Sequence, residues 1–197
     1  MNTVCLFIDG TNLFAGQYEL LGPYRYLNFS LFIKEIEVKL KINFSKIFFY
    51  ASYTPRPSKM SKKENLFLKN EHLFYKQVKI NPKVIFFKGY RSKTSGKEKE
   101  VDVKLSVDIV GYGLLEKYNN LYLMTGDADF LQALLFLKVH RPNIRQNLIC
   151  FENKIMYKGL YYFPSHVVCF NKPKERVATR SKLVYLKKTA DLCPRLG

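Results

Sequence analysis

Leu121-Tyr-Leu-Met-Thr-Gly-Asp-Ala-Asp-Phe130 is the stretch that decides how the rest of the chain is read. Its first four residues are largely apolar, a run that suits a strand buried on both faces. Thr125-Gly126 then hinges the chain, and Asp127 and Asp129 stand one residue apart where the strand ends. In an open parallel sheet, ligands bind beyond the carboxyl ends of the strands, so carboxylates at such an end mark a place for chemistry.

Working outward, strand-like runs alternate with stretches of helical period. Thr3 to Ile8, Lys46 to Ala51, Lys83 to Phe87, Leu121 to Thr125, Gln146 to Phe151 and His166 to Phe170 read as strands. Between them, Asn28 to Leu40, Ser61 to Val78 with Ser61 as cap, Val101 to Tyr118, Asp127 to Val139 and a short stretch near Lys154 to Tyr162 read as helices. Alternation of this kind predicts an α/β fold whose parallel sheet is covered by helices on both faces. With 197 residues the chain suits one domain. After Asn171 it becomes basic and aperiodic, so residues 172–197 are expected to form a flexible or loosely docked tail beyond a domain spanning 1–171.

Lys and Arg outnumber Asp and Glu by 33 to 16, for a net charge of +17 and a pI near 9.7. A charge of that sign and size draws a polyanion, and nucleic acid is the expected partner. No apolar run approaches the roughly 20 residues of a membrane-spanning helix. The run Val4 to Ile8 meets Asp9 too soon to act as a secretory leader, so a cytoplasmic protein is expected. Cys5, Cys150 and Cys169 sit singly in strand-like runs, Cys193 lies in the tail, and His72, His140 and His166 are scattered, which predicts buried thiols rather than a zinc or histidine centre.

The first strand runs into Phe7-Ile-Asp-Gly-Thr-Asn12, so Asp9 opens on the same sheet edge as Asp127 and Asp129. The helix that follows the third strand begins in Lys99-Glu-Val-Asp-Val-Lys104 and adds Asp102. Carboxylates converging in one crevice repel one another unless a cation lies among them, and hard oxygen ligands suit Mg²⁺ or Mn²⁺. Each acid also has a plain structural use. Asp127 and Asp129 could cap and charge a helix start, Asp9 could hold a turn with Gly10, and Asn12 could cap a short helix. Asp108 lies about 120° around an ideal helix from Asp102, at the rim of the crevice or in solvent. Gly111-Tyr-Gly113 falls within a helix and is expected to serve close helix packing, not phosphate binding.

Phe7-Ile-Asp-Gly-Thr-Asn12, Lys99-Glu-Val-Asp-Val-Lys-Leu-Ser-Val-Asp108 and Met124-Thr-Gly-Asp-Ala-Asp-Phe130 resemble, in order and spacing, the signatures of the NYN domain. This is the PIN-like nuclease family that includes the LabA-type proteins. The resemblance covers roughly residues 1 to 170. It implies a Rossmann-like three-layer sandwich with a mainly parallel sheet of order 3-2-1-4-5. It also implies metal-dependent cleavage of RNA by an endoribonuclease, with Asp9, Asp102, Asp127 and Asp129 as the acidic, metal-holding site and Asn12 beside it. Relatives tend to carry an acid just before the last strand, where this chain has Pro164-Ser-His166.

A divalent ion in this cluster would polarise a phosphate oxygen and activate a water for in-line attack on phosphorus. Asn12 and Thr125 could orient that water or a carboxylate, with Asp108 in a supporting tier. Affinity would come from Lys62, Lys63, Arg91, Lys93, Lys97, Lys99 and Lys104, joined by Lys59 and Lys69, and Tyr53, Tyr90 or Phe130 could stack unpaired bases. A haloacid-dehalogenase-type phosphatase would need an aspartate nucleophile where Phe7 stands. The other alternative is a catalytically weak or inactive NYN-fold module that binds RNA or a protein partner. Homo-oligomerisation is left open.

Overall fold

The computed structural model describes residues 3–91, 98–151, 166–170 and 184–185, with side chains for 3–90 and 100–149. Its centre is a sheet of parallel strands β1 (Val4–Asp9), β2 (Lys46–Ala51), β3 (Val84–Lys88), β6 (Asn120–Met124), β7 (Arg145–Phe151), β8 (His166–Phe170) and β9 (Val184–Tyr185), ordered β3-β2-β1-β6-β7-β8-β9. The expected order 3-2-1-4-5 is that of β3, β2, β1, β6 and β7, since β4 (Tyr90–Arg91) and β5 (Glu98–Lys99) form a separate antiparallel pair. Strand order reverses between β1 and β6, which places the switch point between the two acidic strand ends.

Alternation along β1 assigns the two layers. Val4, Leu6 and Ile8 join a core with α1 (Gly10–Leu21), α2 (Phe29–Leu40) and α3 (Lys62–Ile80). Cys5 and Phe7 join the opposite core with α4 (Val101–Leu114) and α5 (Leu131–His140). Much of this packing is aromatic, as in the Phe7 and Phe48 rings stacked at 4.7 Å. Burial pushes the Cys5 thiol up to about 11, which suits an unreactive core thiol. The side chains of Cys150 and Cys169, and all of Cys193, lie outside the described residues.

Several helices follow local chemistry legible in the sequence. Asn28 caps α2 by accepting from Leu31 N at 3.1 Å. Ser61 and Glu64 form a reciprocal capping box at the start of α3. Other boundaries differ. Where the sequence offers a short helix capped by Asn12, α1 runs from Gly10 to Leu21 and its cap is Asp9. α4 stops at Leu114, short of the expected Tyr118, and Glu116 takes a left-handed φ of 56° as the chain turns back. Gly113 serves close helix packing, because a Cβ there would lie 2.7 Å from Leu137 on α5, whereas Gly111 faces open space.

The expected helix at Lys154 to Tyr162 lies outside the described residues. Of residues 172–197, Val184 and Tyr185 are described, paired in parallel with β8. Among the described residues no helix is long and apolar enough to cross a membrane.

Candidate active site

Asp9 ends β1 and is 5% exposed. Its Oδ1 accepts from Asn12 N at 3.0 Å, which caps α1, and its Oδ2 accepts from Thr125 Oγ1 at 3.0 Å. The same Thr125 hydroxyl oxygen accepts from Asp127 N at 3.0 Å, and Asn12 Oδ1 accepts from Gly126 N at 3.1 Å. The exits of β1 and β6 are thus sewn together by two neutral side chains, with Asp9 and Asp127 linked through a single hydroxyl. Gly10 lets the start of α1 lie close against β2, since a Cβ there would lie 2.1 Å from the Phe49 ring.

Asp127 and Asp129 do not cap α5. The helix begins at Leu131 with Phe130 as its cap residue, which makes no side-chain capping bond. Asp127 Oδ1 instead accepts from Asp129 N at 3.2 Å, a local turn that competes with helix and delays its start. Both acids therefore stand in the loop at the sheet edge, Asp127 half-buried and Asp129 exposed.

Asp102 lies in the first turn of α4 and is exposed, next to the cap residue Glu100, whose φ is 73°. Asp108 lies deeper. Its carboxylate is almost buried and accepts from Tyr50 OH at 2.7 Å and from Lys104 Nζ at 2.5 Å. Tyr50 pairs in register with Asp9 across β1 and β2 and belongs to the same core as Phe7, so its hydroxyl works on the α4 side of the sheet. Burial, reinforced by the bond to Asp108, pushes the Tyr50 hydroxyl well above its ordinary value, which keeps it a donor. Nothing in the sequence singled out Tyr50, although a polar tip at the end of the apolar run Ile47-Phe-Phe-Tyr50 was a usable signal.

Of the basic residues, Lys62 and Lys63 open α3 and are exposed, while Lys104 is engaged by Asp108. Arg91 and Lys99 lie on the β4 and β5 backbones with their side chains outside the described set, and Lys93 and Lys97 fall outside the described residues altogether. Phe130 is fully buried in the core against α4 and is not available for stacking, a correction to the sequence reading, whereas Tyr90 is exposed and Tyr53 half-buried.

A helix-covered parallel sheet with carboxylates at neighbouring strand exits fits a PIN-like nuclease domain. The chain belongs to the NYN domain family, whose model matches residues 3–158. NYN domains are typically nucleases, and PIN-like nucleases generally use divalent metals. Among solved structures, a protein of unknown function from Vibrio parahaemolyticus is similar, with 14% identity over 85% of this chain and 92% of that one and a TM-score of 0.57. That likeness concerns the fold. No curated protein sequence matches.

The donor chemistry fits a hard divalent cation. Asp9, Asp127 and Asp129 offer carboxylate oxygens, the hard donors that Mg²⁺ and Mn²⁺ prefer. Among the described residues no group of three or more acids, histidines or cysteines is placed to hold a metal ion by itself. Magnesium is commonly held through one or two carboxylates, with water and substrate phosphate completing its shell, and an open edge of this kind suits that mode.

Proposed function

We propose that the protein is a metal-dependent endoribonuclease that hydrolyses RNA phosphodiester bonds at the exits of β1 and β6. The carrying observation is the Asp9–Thr125–Asp127 linkage, which fixes two carboxylate loops at the topological switch point. Asp9 and Asp127 would hold Mg²⁺ or Mn²⁺, with Asp129 and Asp102 completing the acidic rim. The cation, when bound, supplies positive charge to a phosphate oxygen and acidity to a bound water.

The chain's own part is positioning. Thr125 donates to one oxygen of Asp9 and so turns the carboxylate without adding charge. Asn12 holds Gly126 and thereby the loop that carries Asp127. The Tyr50–Asp108–Lys104 cluster fixes α4 against β2 and with it the helix start that bears Asp102. The excess of basic charge attracts the polyanion that these acids alone would repel. Such a protein acts on RNA in the cytoplasm.

The test is incubation of the full chain with a labelled single-stranded RNA in the presence of Mn²⁺, Mg²⁺ or a chelator. Internal cleavage that appears with either ion and stops with chelator supports the proposal. RNA binding without turnover under any of these conditions favours a binding module that keeps the fold.

A further inference from the structure

Beside the acidic edge lies a trough of about 740 Å³ between α3 and the segment that leaves β2. One wall is the α3 face carrying Lys62, Leu66, Lys69 and His72, spaced at three and four residues so that they share one side of the helix. The other wall carries Tyr53 and Arg56. The trough starts a few residues past Tyr50, the residue paired with Asp9, so it opens on the same edge of the parallel sheet as the candidate active site.

Its walls are held together from below. Glu71, 3% exposed, accepts from Thr54 N at 3.0 Å and from Thr54 Oγ1 at 2.7 Å, which clamps the exit of β2 onto α3. Glu64, the other acid of α3, is engaged by the Ser61 backbone and hydroxyl, each at 2.7 Å. Both acids thus accept hydrogen bonds from groups of the trough's own walls and floor. Among the described residues Arg56, Lys62 and Lys69 have no ion-pair partner. The aromatic edge is cationic as well. Lys79 Nζ and Lys88 Nζ lie 5.2 Å and 5.4 Å from the centroid of the Tyr53 ring, and the His72 ring lies 6.5 Å from it.

We infer that this trough holds the flank of a single-stranded RNA whose scissile phosphate lies at Asp9 and Asp127. Unpaired cations interleaved with rings and leucines match a chain of phosphates interleaved with bases, the pattern by which single strands are bound. An open trough does not enclose a ligand as a small-molecule site would, and it lets a polymer pass through. The inference rests on the nuclease reading for its register, and on the trough itself for its occupant.

The experiment compares the full chain with Arg56→Ala/Lys62→Ala/Lys69→Ala by fluorescence anisotropy, using a labelled ten-nucleotide oligouridylate in chelator. A control, Lys34→Ala/Lys46→Ala/Lys117→Ala, removes the same charge from exposed positions away from the trough. The trough variant should lose about tenfold or more in affinity, and its slope of log K against log salt should fall by roughly 2, from three contacts at about 0.7 each. The control should change neither by more than about twofold. Equal losses in both variants, or an unchanged slope in the trough variant, overturn the inference.

So does a poly-glutamate peptide that binds as tightly as the oligonucleotide and loses as much on the trough variant, which would assign the surface to an acidic protein. Cleavage of a dinucleotide in Mn²⁺ reads the acidic edge separately. If no variant cleaves but the trough effect holds, the nuclease reading fails alone. If the dinucleotide is cleaved and the trough effect is absent, the trough fails alone.

Discussion

Thr125 Oγ1 donates to Asp9 Oδ2 and accepts from Asp127 N, each at 3.0 Å, so one buried hydroxyl ties the Asp9 carboxylate to the backbone of Asp127, 118 positions away in the chain. Replacing it with valine keeps the shape and removes both bonds. Thr125→Val should cost about 1–3 kcal/mol, the range for leaving a buried polar partner unmade. It should also lower the Mn²⁺-induced rise in melting temperature and reduce cleavage about 10–100-fold. Thr125→Ser should restore most of each. Thermal melts with and without Mn²⁺, beside a cleavage assay, check this.

Asp102 and Asp108 should behave in opposite ways. Asp108→Asn breaks a nearly buried pair and should cost about 1–3 kcal/mol, since Lys104 is itself partly exposed and solvent weakens the pairing. Asp102→Asn should leave metal-free stability unchanged within about 0.5 kcal/mol and diminish the Mn²⁺ shift. If Asp102→Asn keeps both the Mn²⁺ shift and the activity, the acidic site contracts to Asp9, Asp127 and Asp129.

Much of this was legible in the sequence because the signals were local. The apolar runs ending in Asp9 and in Thr125-Gly126 gave the strands and the shared edge, and Ser61 with Glu64 marked the start of α3. What was not legible depended on partners distant in sequence. Asp108 could be placed at a rim or in solvent from helix geometry alone, and only its contact with Tyr50, 58 positions away, decides that it is buried. Phe130 is, with Tyr53 and Tyr90, an aromatic residue that could stack unpaired bases, yet it follows the turn made by Asp127 and Asp129 and lies in the core. The start of α5 was misplaced for the same reason, since side-chain bonds to the Asp127 and Asp129 amides replace the first helical turn.

Alkaline pH should expose the tyrosine network. Burial raises the hydroxyls of Tyr50 and Tyr118 above their ordinary value of 10.0. A group whose folded value exceeds its unfolded one lends stability that is fully present below the unfolded value and lost as pH rises beyond it. Denaturant unfolding followed upward from neutral pH should therefore show stability falling above about pH 10. Tyr50→Phe should be less stable at neutral pH and show a shallower alkaline loss.

Gly10→Ala should be more harmful than a helix-start alanine usually is. Its Cβ would meet the Phe49 ring at 2.1 Å and the Ala51 Cβ at 2.9 Å, both in the buried sheet. A loss of about 1–3 kcal/mol is expected from overpacking, with reduced activity because α1 shifts Asn12 away from Gly126. A normal melting temperature would show that the strand absorbs the methyl group.

The central claim is that the carboxylates at the β1 and β6 exits perform metal-dependent hydrolysis, and Asp127→Asn tests it most directly. The amide keeps an oxygen able to accept from Asp129 N, so the turn and the fold should survive. Single-turnover cleavage of single-stranded RNA in Mn²⁺, with binding measured in parallel, is the decisive measurement. The account predicts that cleavage is nearly abolished while RNA binding is equal or tighter, because a charge that repels phosphate is gone. Cleavage retained within about tenfold of the unsubstituted protein would contradict it.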